Sequence, residues 1–206
     1  MERVVVVVNP GMGNIGSVVK KMNRIGIQPV VSFDRKDILS AEKIILPGVG
    51  HFATAVRKLK ESGGWDVLNE AVLVKKIPIL GICLGMQLMA KHSEEGDEDG
   101  FGWFDAMVVR FKVTDPYKFK VPHTGWNHCE IKKDSLLFKN VVPDRGFYFV
   151  HAYHMKCIDP DDVLSLTDYS YSFVSAVQKG NIYGVQFHPE KSHEQGEKLL
   201  KNFVQL

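Results

Sequence analysis

The sequence predicts an α/β fold, a mostly parallel central sheet with helices on both faces and an antiparallel flank. Three observations predict it. Short, continuous apolar runs rich in Val and Ile alternate with helical stretches of about ten residues through the first half of the chain. That is the texture of strands buried on both faces and joined by crossover helices. Several of these runs stop at Pro or Gly, as strands feeding tight turns do. Beyond residue 100 the apolar runs continue with little helical periodicity between them, as expected where strands return antiparallel.

The first run, Val4 to Val8, ends in Asn9-Pro10-Gly11-Met12-Gly13 and reads as a buried strand closed by a turn. A helix follows, with Asn14 as its cap, Val18, Val19, Met22 and Ile25 on its apolar face, and Gly26 as its stop. Pro29 to Phe33 gives a second strand, and Lys43 to Leu46 a third that stops at Pro47-Gly48. Phe52, Val56 and Leu59 mark one helix, and Trp65, Leu68, Val72 and Leu73 another. Ile77 to Ile82 is a fourth buried strand running into Cys83, with a helix over Met86 to Lys91. Ser93 to Gly100 is acidic and reads as a solvated loop. Met107–Val113, His128–Ile131, Phe147–Val150, Phe173–Val177 and Ile182–Phe187 read as strands, and Glu194 to Leu206 as a closing helix. No repeat or linker divides the chain, so residues 1–206 are expected to form a single domain.

Composition narrows the function. The 206 residues are 45% hydrophobic, enough for one sizeable core, and 26 basic residues stand against 24 acidic ones with no Lys/Arg block. Nucleic acid is therefore not the expected partner. Nothing resembles a signal peptide or reaches the ~18 to 20 apolar residues that span a bilayer, so a cytoplasmic protein is expected. Three widely spaced cysteines, Cys83, Cys129 and Cys157, do not make a disulfide framework.

Ligands of parallel sheets bind at the carboxyl ends of the strands, and two such ends carry chemistry. Gly81-Ile82-Cys83-Leu84-Gly85 sets a thiol between glycines where strand gives way to helix. This is the pattern of a nucleophile elbow, in which a side chain beside the nucleophile would strike the neighbouring strand and helix. A helix N-terminus also favours a thiolate; the alternative is a buried structural cysteine. A cysteine nucleophile needs a base. His188 closes the strand over Ile182 to Phe187 and is followed by Pro189 and by Glu190, whose carboxylate can orient the imidazole; a structural histidine is the alternative. Backbone amides of Pro47-Gly48-Val49-Gly50, together with the Leu84 N–H, are candidate donors to an oxyanion on the same sheet edge, or else that segment is a plain tight turn.

Three stretches together resemble the class I, or triad, glutamine amidotransferases: Pro47-Gly48-Val49-Gly50, Gly81-Ile82-Cys83-Leu84-Gly85-Met86-Gln87 and Gly184-Val185-Gln186-Phe187-His188-Pro189-Glu190. They stand in that family's order and spacing across nearly the whole chain. Pro122 to Asn127, Tyr148 to Tyr153 and the extension to Lys191-Ser192 are similar to the branch, HisH, that supplies the glutaminase subunit of imidazole glycerol phosphate synthase. The resemblance implies Cys83 as nucleophile, His188 oriented by Glu190 as the proton donor to ammonia, and Gly48 and Val49 lining the oxyanion hole with Leu84. It implies that Gly50, Gln87, His151, Ala152 and Tyr153 hold glutamine. It implies a heterodimer with a HisF-like (β/α)8 synthase subunit that receives ammonia for histidine biosynthesis, with Pro10, Asn14 and Lys191 on the docking face. No metal or organic cofactor is implied. Close relatives also supply ammonia for sugar modification in surface-polysaccharide synthesis, through the same glutaminase half.

Other classes compete. His151, His154 and Cys157, with His123, His128 and Cys129 upstream, are zinc-ligand types, though their spacing is unlike paired knuckles. A docking module without catalysis and a thiol peptidase are the other rivals; the Gln-Phe-His-Pro-Glu stretch favours the amidotransferase. Lys191 and Asn14 can equally be a solvated lysine and a helix cap, Trp103 and Trp126 core or loop anchors, and Cys129 and Cys157 small buried side chains.

Overall fold

The computed structural model describes residues 4–9, 11, 15–142 and 145–206. The first half alternates as expected: β1 (Val5–Val8), α1 (Ile15–Arg24), β2 (Val30–Ser32), α2 (Arg35–Ser40), β3 (Lys43–Gly48), α3 (Phe52–Glu61), α4 (Gly64–Asn69), β4 (Ile79–Cys83) and α5 (Leu84–Gln87). The second half is built from β5 (His92–Ser93), β6 (Glu98–Asp99), β7 (Ala106–Arg110), β8 (His123–Asn127), β9 (Glu130–Ile131), β10 (Phe147–His151), β11 (Tyr153–Cys157), β12 (Val163–Tyr169), β13 (Tyr171–Lys179) and β14 (Ile182–Val185), closed by α6 (His193–Gln205).

One sheet runs in the order β2-β1-β3-β4-β14-β13-β11-β7-β5-β6. Its first five strands are parallel, and β13 turns antiparallel against β14. β12 and β9 extend it beside β13, while β8 and β10 form a separate antiparallel pair. The period of two along β1 divides the core: Val6 and Val8 face one apolar layer with Phe52, Val56 and Leu59 of α3, and Val5 and Val7 face the other with Val18 and Met22 of α1 and Leu199, Leu200 and Phe203 of α6. All four valines are fully buried, each contributing about 1.5–3 kcal/mol of transfer free energy. This two-sided burial is why the run carries no polar alternation.

Several expectations are corrected. Ser93 to Gly100 is not a free loop: β5 and β6 pair across a turn with Gly96 at φ +91°, Ser93 is fully buried, and the Glu95 carboxylate accepts the Phe52 amide at 2.8 Å. Its acidic residues partly cap and pair, since Glu98 also meets Lys60 at 3.0 Å. The helix expected over Met86 to Lys91 is confined to Leu84–Gln87. The second amphipathic stretch bends into a π turn over Glu70–Val74. The strand expected over His128 to Ile131 is reduced to β9, and β8, β11, β12 and α2 are additional. α2 carries a local signal, the Asp34 side chain accepting Lys36 N–H at 2.7 Å as an N-cap.

Candidate active site

β4 delivers Cys83 at a turn that ordinary residues avoid. Cys83 has φ +55° and ψ −111°, a conformation that costs a non-glycine residue about 1–3 kcal/mol and persists only where the surroundings impose it. The flanking glycines show how they do so. A Cβ on Gly85 would lie 1.8 Å from the Leu46 carbonyl oxygen of β3, and one on Gly81 would lie 2.6 Å from the Gly85 carbonyl oxygen. Strand, nucleophile turn and α5 therefore interlock backbone to backbone. With α5 only four residues long, the expected helix-dipole assistance to the thiolate is small.

His188 arrives from the adjacent strand. β14 pairs in parallel with β4, Val185 opposite Ile82, so the residues just past both strand ends share one edge. The turn holding His188 is fixed by its own network: His188 N–H donates to Tyr148 O at 2.8 Å, Ser192 Oγ donates to His188 O at 2.6 Å, and Tyr148 N–H donates to Ser192 Oγ at 3.0 Å. His188 Nδ1 meets Glu190 Oε1 at 2.7 Å with both side chains buried. Nε2 makes no hydrogen bond of full geometry among the described residues and is left for the sulfur. Burial alone would lower this histidine, but the Cys83 sulfur and the Glu190 carboxylate outweigh it and raise His188 to about 9. The imidazolium is thus the resting form at neutral pH.

The end of β3 lies on the other side of the nucleophile, with Gly48 opposite Cys83 in the β3–β4 pairing. Pro47, Gly48, Val49 and Ile82 share a cleft with His188, Glu190 and Lys191. Val49 is half-exposed and Gly50, at φ +112°, begins the exposed turn into α3. Leu84 begins α5 beside the sulfur. Gln87 is buried, and its Nε2 donates to Tyr153 O at 2.9 Å and to Gln186 Oε1 at 3.0 Å. His151 ends β10 near the sulfur, whose thiol points to Val150 O at 4.0 Å. The Ala152 carbonyl accepts the Phe111 amide, and Tyr153 pairs with Arg110 of β7. Gln186 was absent from the expected site, yet its Nε2 donates to Cys83 Sγ at 3.7 Å. Its signal was available: a glutamine in an otherwise apolar buried run.

The candidate zinc ligands are otherwise engaged. His151 Nε2 faces His123 Nδ1 at 3.3 Å and its Nδ1 faces Tyr153 O at 2.8 Å, while His154 Nε2 meets the Tyr171 hydroxyl at 2.9 Å. Among the described residues no three His, Cys, Asp or Glu side chains gather in a metal-holding arrangement. A groove of about 540 Å³ on the antiparallel flank is bordered by His154 and Cys157. There burial, with the nearby carboxylates of Asp162 and Asp159, pushes the Cys157 thiol up to about 12, and His154 Nε2 is hydrogen-bonded to the Tyr171 hydroxyl.

Of the expected docking residues, Pro10 and Asn14 lie outside the described residues. Lys191 is exposed beside the cleft, its ammonium 5.5 Å from the Tyr148 ring. Trp103 is a core anchor bonded to Asn69 Oδ1 at 2.9 Å. Trp126 is no core residue: it is 49% exposed on β8, where it stacks on His193 and meets the Tyr148 ring edge-on. Cys129 is buried, and Cys157 only partly so. Among the described residues no helix is long and apolar enough to cross a membrane.

The family model "Glutamine amidotransferase class-I" matches residues 6–206. The chain is 46% identical over 200 residues to imidazole glycerol phosphate synthase subunit HisH 2 of Methanococcus maripaludis, covering 97% of this chain and 98% of the relative. It is 46% identical over 202 residues to subunit HisH 2 of Pseudomonas aeruginosa, covering 98% and 99%. A crystal structure described as a glutamine amidotransferase superposes with a TM-score of 0.74 at 19% identity, covering 98% of this chain and 97% of that one, a likeness of fold.

Proposed function

Because the chain belongs to the class-I glutamine amidotransferase family, we propose that it is the glutaminase subunit of an imidazole glycerol phosphate synthase, acting as one domain over residues 1–206. The observation that carries the reading is the Cys83 elbow beside a buried His188–Glu190 pair at 2.7 Å, in a chain whose relatives bear that subunit's name along nearly their full length.

In this mechanism the Cys83 thiol gives its proton to His188 and its sulfur attacks the side-chain amide carbon of glutamine. A C–S bond forms and the carbonyl electrons move to oxygen, where the Gly48-Val49 peptide and the Leu84 N–H stabilise them. Collapse breaks the C–N bond, and His188 gives its proton to the departing nitrogen as ammonia. Neutral His188 then takes a proton from water, the hydroxide displaces sulfur from the thioester, and glutamate leaves. Glu190 holds the ring with Nε2 toward the reacting atoms throughout. Gly50, Gln87 and the segment His151-Ala152-Tyr153 border the glutamine.

The subunit works with a partner synthase. The finer reading is a HisF-like (β/α)8 barrel that docks with Pro10, Asn14 and Lys191 among its contacts, receiving ammonia directly and using it in histidine biosynthesis in the cytoplasm. Direct transfer matters because free ammonia is mostly protonated at neutral pH and then not nucleophilic. The names of the relatives favour this acceptor over a surface-polysaccharide sugar.

The test is glutamate release by the purified chain and by Cys83→Ala, each with and without the barrel subunit and its phosphoribulosyl substrate. Slow release that rises sharply with the loaded barrel and vanishes in Cys83→Ala is expected. Cys83-dependent release indifferent to the barrel would refute the proposed partner, and release surviving in Cys83→Ala would refute the nucleophile.

A further inference from the structure

Gln186 is fully buried, two residues before the base and directly after β14, the strand that pairs with the nucleophile's own. Its amide spans the gap between Cys83 and Gln87. Nε2 donates to Cys83 Sγ at 3.7 Å, a normal length for a sulfur acceptor, and Oε1 accepts from Gln87 Nε2 at 3.0 Å. Gln87 Nε2 also donates to the Tyr153 carbonyl at 2.9 Å. An amide nitrogen has two protons, so both protons of Gln87 are spent on the protein.

That accounting fixes the direction of the next amide. If Gln186 were flipped, its NH2 would face the NH2 of Gln87, and its carbonyl oxygen would face an electron-rich sulfur. Both contacts are repulsive in a buried site where no solvent can relieve them. The Tyr153 carbonyl, anchored in the β11–β7 pairing, thus sets Gln87, Gln87 sets Gln186, and Gln186 presents an N–H to sulfur. A donor aimed before reaction begins needs no reorganisation when charge appears.

We propose that Gln186 is a further catalytic residue, whose amide N–H holds the Cys83 sulfur and favours its ionised form, and that Gln87 is the positioning residue that aims it. The proposal rests on the reading of Cys83 as nucleophile, and it changes the part given to Gln87: its amino group serves Gln186 and the Tyr153 carbonyl, which leaves only its oxygen for a substrate. His188 and Gln186 then approach the sulfur as two donors, one charged and able to give up its proton, the other neutral and keeping its own. Through the thioester stage the neutral donor still holds sulfur in place while His188 turns to water.

The experiment is the pH dependence of Cys83 alkylation by iodoacetamide in the full chain, read peptide by peptide in a mass spectrometer, with Cys129 as internal reference. Gln186→Met keeps the length and removes the donor. Its rate at pH 6 is expected to fall about tenfold, the value of a hydrogen bond to a charged group, while the alkaline plateau stays within about twofold. Gln87→Met leaves the donor in place but frees it to rotate, and a smaller loss in the same direction, about threefold, is expected. Gln87→Met also carries the test if Gln186→Met does not fold. A reactive Cys83 whose profile ignores both substitutions would overturn this inference alone. A wild-type Cys83 no more reactive than Cys129 would overturn the nucleophile reading beneath it.

Discussion

His188 and His151 are buried almost equally, at 2% and 6% exposure, and both have Nδ1 in a short hydrogen bond, at 2.7 and 2.8 Å. They titrate in opposite directions. His188 is raised to about 9, whereas burial lowers His151 to about 3, its neighbours His123, His154 and His188 adding to the effect. The difference is in what faces each ring. His188 has a carboxylate and a sulfur; His151 has a backbone carbonyl, His123, and the rings of Phe111, Phe149 and Phe173. His123, stacked on Phe149 and Tyr169, is likewise lowered by burial, to about 4. Burial therefore does not by itself make a histidine a base. A charged acceptor turns the same burial into a poised imidazolium, and aromatic packing turns it into a neutral structural ring.

The comparison breaks most directly at Glu190. Glu190→Gln keeps the shape and removes the charge, so glutamine hydrolysis should fall by about 10²–10⁴-fold, with the His188 titration followed by NMR moving down from about 9. Activity within a few-fold of wild type would mean that the carboxylate is only structural.

The opposite region is probed at Phe111, which touches the rings of His123, His151, His154, Tyr169, Tyr171 and Phe173. Phe111→Ala should cost about 3–5 kcal/mol in denaturant unfolding, as for other buried aromatic truncations, and should leave the His188 titration near its wild-type value. A large shift of His188 instead would show that the two clusters are one electrostatic unit.

The smallest effect is the dependence of stability on pH, where the two groups should act on opposite sides. His151 and His123 have folded values below the unfolded value of about 6.5. They favour the native state above that value, and the gain is lost as pH falls from about 6.5 toward 4 and 3. His188 has a folded value above it, so its contribution is full below about 6.5 and is lost as pH rises toward 9. The melting temperature should fall on both sides of a maximum near pH 6.5. Glu190→Gln should flatten the alkaline limb and leave the acid one; an unchanged alkaline limb would separate that limb from His188.

Legibility in the sequence followed the range of the signal. The buried strands around Val5–Val8, Lys43–Gly48 and Ile79–Cys83 are continuous apolar runs, and the elbow needs its glycines within two residues of Cys83, so both are visible locally. Short or polar elements were harder to see. β8 and the β5–β6 hairpin form because neighbouring strands and the Phe52 amide give their polar groups partners, and no local pattern carries that.

The sequence by itself determined the α/β class, the positions of the two strand ends and the residue types that meet there, because hydrophobic period, turn chemistry and motif spacing are properties of neighbouring residues. Only the tertiary structure decided that β14 lies beside β4 and sets His188 against Cys83, that Gln186 reaches the sulfur, and that His151 is neutral where His188 is charged. Protonation depends on the charges and rings that packing brings from distant parts of the chain, and strand order brings them there.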